Sequence, residues 1–177
     1  MHTTINTPVG PFTIVGSGTT VLAAGFTADA SELLPLVHPG LPADGDADLE
    51  PAVKATMAYF DGDLAAIDAV PVAQRGGEFL AQAWDVLRTV PAGAPVTYTG
   101  YAQLAGRPAA VRAAAQACAR NAAALFVPCH RVVRTDGTLG GYRWGLDVKR
   151  WLLEHERAQR AAGTEANERS GPPRRLD

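Results

Sequence analysis

Cysteine is scarce: Cys118 and Cys129 are the two thiols in 177 residues. A pair 11 positions apart makes neither a disulfide framework nor a zinc ribbon. A reducing compartment is the simpler setting, and no metal or other cofactor is expected. The chain also lacks any run of about 18 apolar residues, which argues against a membrane-spanning helix. Met1-His-Thr-Thr-Ile-Asn6 has neither the basic nor the apolar region of a secretion signal. A cytoplasmic protein with no membrane partner is the expectation. No internal repeat is found. Charged residues are few, at 19%, against 47% hydrophobic. That balance excludes a disordered chain and requires a packed core.

Basic side chains are nearly missing from the first half. Residues 1–90 hold Lys54, Arg75 and Arg88 against 11 acidic groups, a balance of −8. Residues 91–177 hold 13 basic against seven acidic groups, a balance of +6. Halves of opposite sign suggest that the second faces a polyanion. The alternative is that the halves attract each other.

The first third reads as strands and turns. Runs at 11–15 and 21–26 flank Gly16-Ser-Gly18 and suggest a hairpin. Residues 38–48 are loop-like. Val53, Met57, Tyr59 and Phe60 suit a short helix that stops at Asp61-Gly62, and 67–72 suggests a further strand. Gln74-Arg-Gly-Gly77 marks a boundary. Beyond it, Phe79, Ala83, Val86, Leu87 and Val90 follow helical spacing. Thr97 can cap a helix through Ala105. Gly106-Arg-Pro108 breaks it, and an Ala-rich helix follows over 109–120. Helix, Gly-containing turn, helix is the outline of a helix-turn-helix, shared with the commoner αα-hairpin. A last helix over 146–156 turns Val148, Trp151, Leu152 and Leu153 inward. The fold class expected is α+β: a β-rich domain over 1–76, a helical domain with a helix-turn-helix over 77–160, and a flexible tail over 161–177.

The sharpest chemical feature is Leu125-Phe-Val-Pro-Cys-His-Arg-Val-Val133, which sets Cys129 beside His130. A thiol must become a thiolate to attack. An imidazole can take its proton, and a carboxylate can orient the imidazole. Glu156 is a candidate for that carboxylate. Sequence neighbours diverge, so a Cys129–His130 contact could run through water. Cysteine is also a common packing residue, and Cys118 is read as packing.

Pro128-Cys-His-Arg-Val132 resembles the active-site signature of the O6-alkylguanine-DNA alkyltransferases, which are single-turnover methylated-DNA–protein-cysteine methyltransferases. The similarity covers about 79–157. It includes Phe79, Trp84, Leu87, Val90-Pro91, Thr97-Tyr98, Ala105-Gly-Arg-Pro108, Arg112, Asn121, Gly140-Gly-Tyr142, Gly145, Lys149 and Leu152-Leu-Glu-His-Glu156. The N-terminal part is similar mainly through Ala58-Tyr-Phe-Asp-Gly-Asp-Leu64.

The resemblance implies roles. Cys129 would take the alkyl group from guanine O6 as a thioether. His130 would act as base, held by Glu156, and Asn121 would support the turn. Tyr98 would protonate the departing guanine and help turn its phosphate. Arg112 would enter the stack in place of the flipped base. Thr97, Ala113, Ala114, Arg120 and Arg131 complete the expected DNA-facing set. Val132, Tyr142, Arg143 and Trp144 are the expected pocket residues, the backbone near Cys129 and Val132 bonding the base edge. Nothing would regenerate the thiol. The partner implied is duplex DNA carrying O6-alkylguanine, bound by a monomer, with O4-methylthymine left open.

Four departures from the family pattern stand out: Ala122 where a proline is usual after the asparagine, Ala92 where an aromatic is usual, Ala114-Ala115 for Val-Gly, and the bulky Arg143-Trp144. Trp144 either narrows the pocket or turns away onto the last helix near Trp151. Two other readings remain: a lesion-binding protein of the same family, which would lack the reactive cysteine, and a thiol hydrolase using Cys129, His130 and Glu156.

Overall fold

The computed structural model describes residues 1–42 and 45–169. It opens with an antiparallel sheet of three strands: β1 (His2–Thr7), β2 (Gly10–Ser17) and β3 (Thr20–Gly25), in that order. The expected hairpin is the β2–β3 pair. Phe12, Thr13, Ile14 and Val15 are all buried, as are Val21 to Ala24. A continuous apolar run, rather than strict alternation, fits a sheet covered on both faces. Phe12, Ile14, Val21 and Ala24 join the main core, while Val15 and Ala23 pack with Leu33 and Ala122 on the other side. The polar β1 is an edge strand that periodicity does not reveal.

Helix α1 (Glu50–Phe60) carries Pro51 in its first turn and ends at Asp61, with Gly62 at φ +109°. It buries Ala52, Thr56 and Tyr59. The strand expected over 67–72 is instead a series of turns. It touches β3 through one bridge, Val21 with Val72. Pro71 has no N–H to extend a ladder.

The second half is mainly helical. Helix α2 (Glu78–Leu87) buries Ala83, Trp84 and Leu87, and the Trp84 indole N–H donates to the Ala117 carbonyl at 2.9 Å. Short β4 (Val96–Thr97) leads into α3 (Tyr98–Leu104), whose cap, Thr97, accepts from the Gly100 N–H through Oγ1. Helix α4 (Val111–Ala119) begins two residues later than expected. Strand β5 (Val132–Val133) runs parallel to β4.

Helix α5 (Leu146–Arg169) is longer than the sequence suggested. Residues 161–169, expected as flexible tail, continue this helix. Ala, Glu and Arg are good helix formers even where no apolar face is needed, and most side chains after Glu156 are exposed. Residues 170–177 of the expected tail lie outside the described residues. Among the described residues, no helix is long and apolar enough to cross a membrane.

Beyond β2, β3 has a second neighbour that matters for the site. The Ala24 N–H donates to the Ala122 carbonyl at 2.9 Å, and the Ala124 N–H donates to the Ala24 carbonyl at 3.0 Å. The segment just before Cys129 is thus tied directly to the N-terminal sheet.

Candidate active site

Residues 121–130 are all buried, an unusual setting for non-regular backbone, whose polar groups need internal partners. Asn121 supplies several. Its side-chain N–H group donates to the Val127 carbonyl at 2.7 Å and to Cys129 Sγ at 3.2 Å, while its Oδ1 accepts from the Ala123 N–H. Leu125, at φ +71°, is left-handed and fully buried. Such strain in a non-glycine residue persists only where its surroundings impose it. The turn ends in a 3-10 segment, Cys129–Arg131. Burial pushes the Cys129 thiol above its ordinary value, while the Asn121 bond and the charges of Lys149 and Arg143 pull the other way.

Behind the thiol lies a buried ionic cluster. His130 Nε2 is 2.7 Å from Glu156 Oε1. Glu156 also accepts from the Tyr59 hydroxyl at 2.8 Å, from the Gly93 N–H at 3.1 Å and from the Arg131 guanidinium at 3.0–3.1 Å. Burial works against the carboxylate. Its bonds with His130 and Arg131 more than offset that, and hold Glu156 well below the usual carboxylate range. Burial likewise lowers His130, which favours a neutral ring. A neutral ring donating from Nε2 to Glu156 leaves Nδ1 as the acceptor, and Nδ1 is buried with no hydrogen-bond partner among the described residues. His130 makes no direct hydrogen bond to Cys129 among those described.

On its other side, Cys129 lines a cavity of about 440 Å³ with Tyr98, Ala115, Cys118, Asn121, Tyr142, Arg143 and Trp144. Burial pushes Tyr98 up to about 12, so its hydroxyl keeps its proton at neutral pH. The Tyr142 hydroxyl is buried without a hydrogen-bond partner among the described residues. Lys149 is fully buried, and its ammonium donates to the Val132, Leu139 and Gly141 carbonyls, pinning the loop that forms one wall. Cys118, expected as packing, is half-buried but also faces this cavity.

Trp144 packs against the Val15, Ala23, Leu33 and Ala122 cluster, whereas Trp151 packs on the main core and stacks on His155 at 4.9 Å between ring centroids. Trp144 lines the cavity and at the same time packs over Gly25. A Cβ added there would sit 2.1 Å from the indole. Arg143 donates to the Ala119 carbonyl at 2.8 Å, tying the same wall to α4.

The expected DNA-facing residues divide. Arg112 is exposed on α4 and shares a groove with Tyr98, Thr99, Arg134 and Gly140. Arg120 is exposed at the end of α4, Ala113 is partly exposed, and Thr97 is the cap of α3. Ala114 is fully buried: helical geometry turns it, with Ala117, into the core, while Ala115 meets the cavity. Arg131 is 2% exposed, with its guanidinium on Glu156 and on the Val90 carbonyl, and cannot reach a phosphate. Val132 was expected to offer its backbone to the base edge: its side chain is in the core, and its carbonyl accepts from Lys149.

Tyr59 and Gly93 are site residues that sequence reasoning missed. Tyr59 lies 97 positions from Glu156, beyond any local signal. Gly93 follows Ala92, the position where an aromatic is usual in the family. Its φ of +72° and the close approach of Glu156 and Arg160 explain why a glycine stands there.

Comparison with known proteins identifies the family. Residues 1–74 match the model of the 6-O-methylguanine DNA methyltransferase ribonuclease-like domain, and residues 78–158 match that of the 6-O-methylguanine DNA methyltransferase DNA-binding domain. The chain is 53% identical over 87 residues to the bifunctional transcriptional activator/DNA repair enzyme Ada of Escherichia coli, spanning about a quarter of that protein's length. It spans just over half of a methylated-DNA–protein-cysteine methyltransferase of Shigella flexneri, at 44% identity. With the protein of that name in Mycobacterium tuberculosis, identity is 35% across 91% of this chain and 94% of the relative. The crystal structure of Mycobacterium tuberculosis OGT in complex with DNA superposes with a TM-score of 0.74 at 32% identity, covering 89% of this chain and 93% of that one. By sequence along nearly its whole length, and by fold, this chain belongs to the 6-O-methylguanine DNA methyltransferase family.

Proposed function

We propose that the chain repairs duplex DNA by moving the alkyl group of O6-alkylguanine irreversibly onto Cys129, acting as a monomer. The observation that carries this reading is the position of Cys129. It lies between a cavity walled by α4 and the 141–144 loop and a buried His130–Glu156 pair. A base inside a duplex cannot enter such a cavity without being turned out of the stack. Arg112, exposed on α4 beside the cavity, is placed to fill the space left behind.

In this mechanism the thiol proton passes to His130 Nδ1, relayed by water, and Glu156 steadies the resulting positive ring. The sulfur bonds to the alkyl carbon as the carbon–O6 bond breaks. The electron pair of that bond stays on guanine, which takes a proton from Tyr98. The Asn121 N–H favours the thiolate that burial disfavours. The product is a thioether with no group nearby to cleave it, so each molecule acts once. Residues 1–76 would serve as the supporting β-rich domain and 77–160 as the alkyl-transferring, DNA-binding domain.

The test is substitution of the nucleophile. Cys129→Ser and Cys129→Ala are expected to abolish transfer from a duplex bearing O6-methylguanine, while binding to that duplex is largely retained. Methyl transfer by either variant would remove Cys129 from the role.

A further inference from the structure

Gln74 belongs to the link between the two halves, far in sequence from the reactive turn. Its side-chain amide nevertheless makes two bonds to that turn. Its Nε2 donates to Asn121 Oδ1 at 2.9 Å, and its Oε1 accepts from the Ala122 N–H at 2.8 Å. An amide that donates with one end and accepts with the other has its orientation fixed by its partners. The same holds for Asn121. Its Oδ1 is held by Gln74 Nε2 and by the Ala123 N–H, which leaves its own N–H group for Val127 and the Cys129 sulfur.

We propose that Gln74 is a positioning residue for alkyl transfer, locking the Asn121 amide so that its N–H points at the Cys129 sulfur. Ala122 is part of the device. A proline at that position would be rigid, but it has no N–H to offer. With alanine there, the turn gains a donor that anchors Gln74, and stiffness supplied by a ring is replaced by a pair of hydrogen bonds. The proposal rests on the thiol function assigned to Cys129. It is tested through the thiol itself, so that it can fail independently of any DNA chemistry.

The other charged or titratable groups coupled to Cys129 are Lys149, Arg143, Cys118, Tyr98, Tyr101 and Tyr142; Cys118 is alanine in every background below, wild type included, and the rest are unchanged. The experiment compares wild type with Gln74→Met, which keeps the length but makes neither bond. It also uses Gln74→Glu, whose ionised carboxylate still accepts from Ala122 but repels Asn121 Oδ1. Two quantities are read: the pH midpoint of Cys129 alkylation by iodoacetamide, with Cys118→Ala in every background, and the single-turnover rate of methyl transfer. Gln74→Met is expected to move the midpoint to higher pH and slow transfer by about three- to tenfold, the size of the single Asn121–sulfur hydrogen bond that loses its alignment. Gln74→Glu should move both further in the same direction. In an Asn121→Ala background Gln74→Met should have no further effect, and Gln74→Glu should keep only the through-space effect of its charge. Midpoints unchanged in folded Gln74→Met and Gln74→Glu proteins would overturn the proposal, as would shifts that persist in full without Asn121. A shifted midpoint with no transfer activity in wild type would leave the positioning role standing and refute the repair reading instead.

Discussion

Glu156 receives hydrogen bonds from Tyr59, Gly93, His130 and Arg131, so one carboxylate serves chemistry and stability together. The two roles separate in variants. His130→Gln keeps a similar size but removes the base, and single-turnover transfer should slow by about 10²–10⁴-fold, the usual contribution of a general base. Glu156→Gln should also slow transfer. In addition it leaves the Arg131 cation buried without its counterion, a loss of about 3–5 kcal/mol in denaturant unfolding. Rates unchanged in both variants would remove the pair from the mechanism. Cys129, His130 and Glu156 could be named from the sequence because the first two are adjacent and the third ends a recognisable helix, whereas Asn121 came only through the family resemblance. Arg131 was misread because a position next to His130 does not say which way a side chain turns. Gln74 is separated from its partners by 47 and 48 positions, and nothing local marks it.

At the scale of elements, the wall over 139–145 is held from two directions. Lys149 on α5 binds its carbonyls, and Trp144 rests on Gly25 of β3. The N-terminal sheet thereby reaches into the shape of the cavity. Trp144→Gly should open the cavity and raise the ratio of benzyl- to methylguanine transfer rates. Gly25→Ala should change the same ratio from a distance, because the new Cβ displaces the indole. Ratios that stay at the wild-type value in both variants would show that Trp144 does not select by size. The helices α1 to α4 were readable because each buries one periodic face or is closed by Gly, Pro or a Thr cap. The edge strand β1 has little apolar patterning, and α5 past Glu156 has left the core. Pairing and intrinsic propensity, rather than burial, make those two segments regular.

For the whole molecule, the buried cluster links folding to acidity. His130 is held below its ordinary value by burial, whereas in the unfolded chain it titrates near 6.5. Below about that pH the unfolded state binds more protons, so stability falls as pH drops. Glu156 is also depressed. Its contribution is present above its unfolded value, near 4.5, and is lost as pH falls from there towards its folded value. Thermal unfolding followed by circular dichroism should show a melting temperature that declines from pH 7 to 5 and falls further below. His130→Gln should flatten the upper part of that decline. A wild-type profile level between pH 7 and 5 would mean that the histidine is not buried neutral.

The fate of the alkyl group tests the central claim most directly. The protein is incubated with excess duplex carrying O6-methylguanine, digested, and read by mass spectrometry. One methyl per chain, persistent and confined to the peptide containing Cys129, is the predicted result. Methyl-free protein after the lesion has been bound, methyl groups on another residue, or more than one guanine restored per chain would each contradict it.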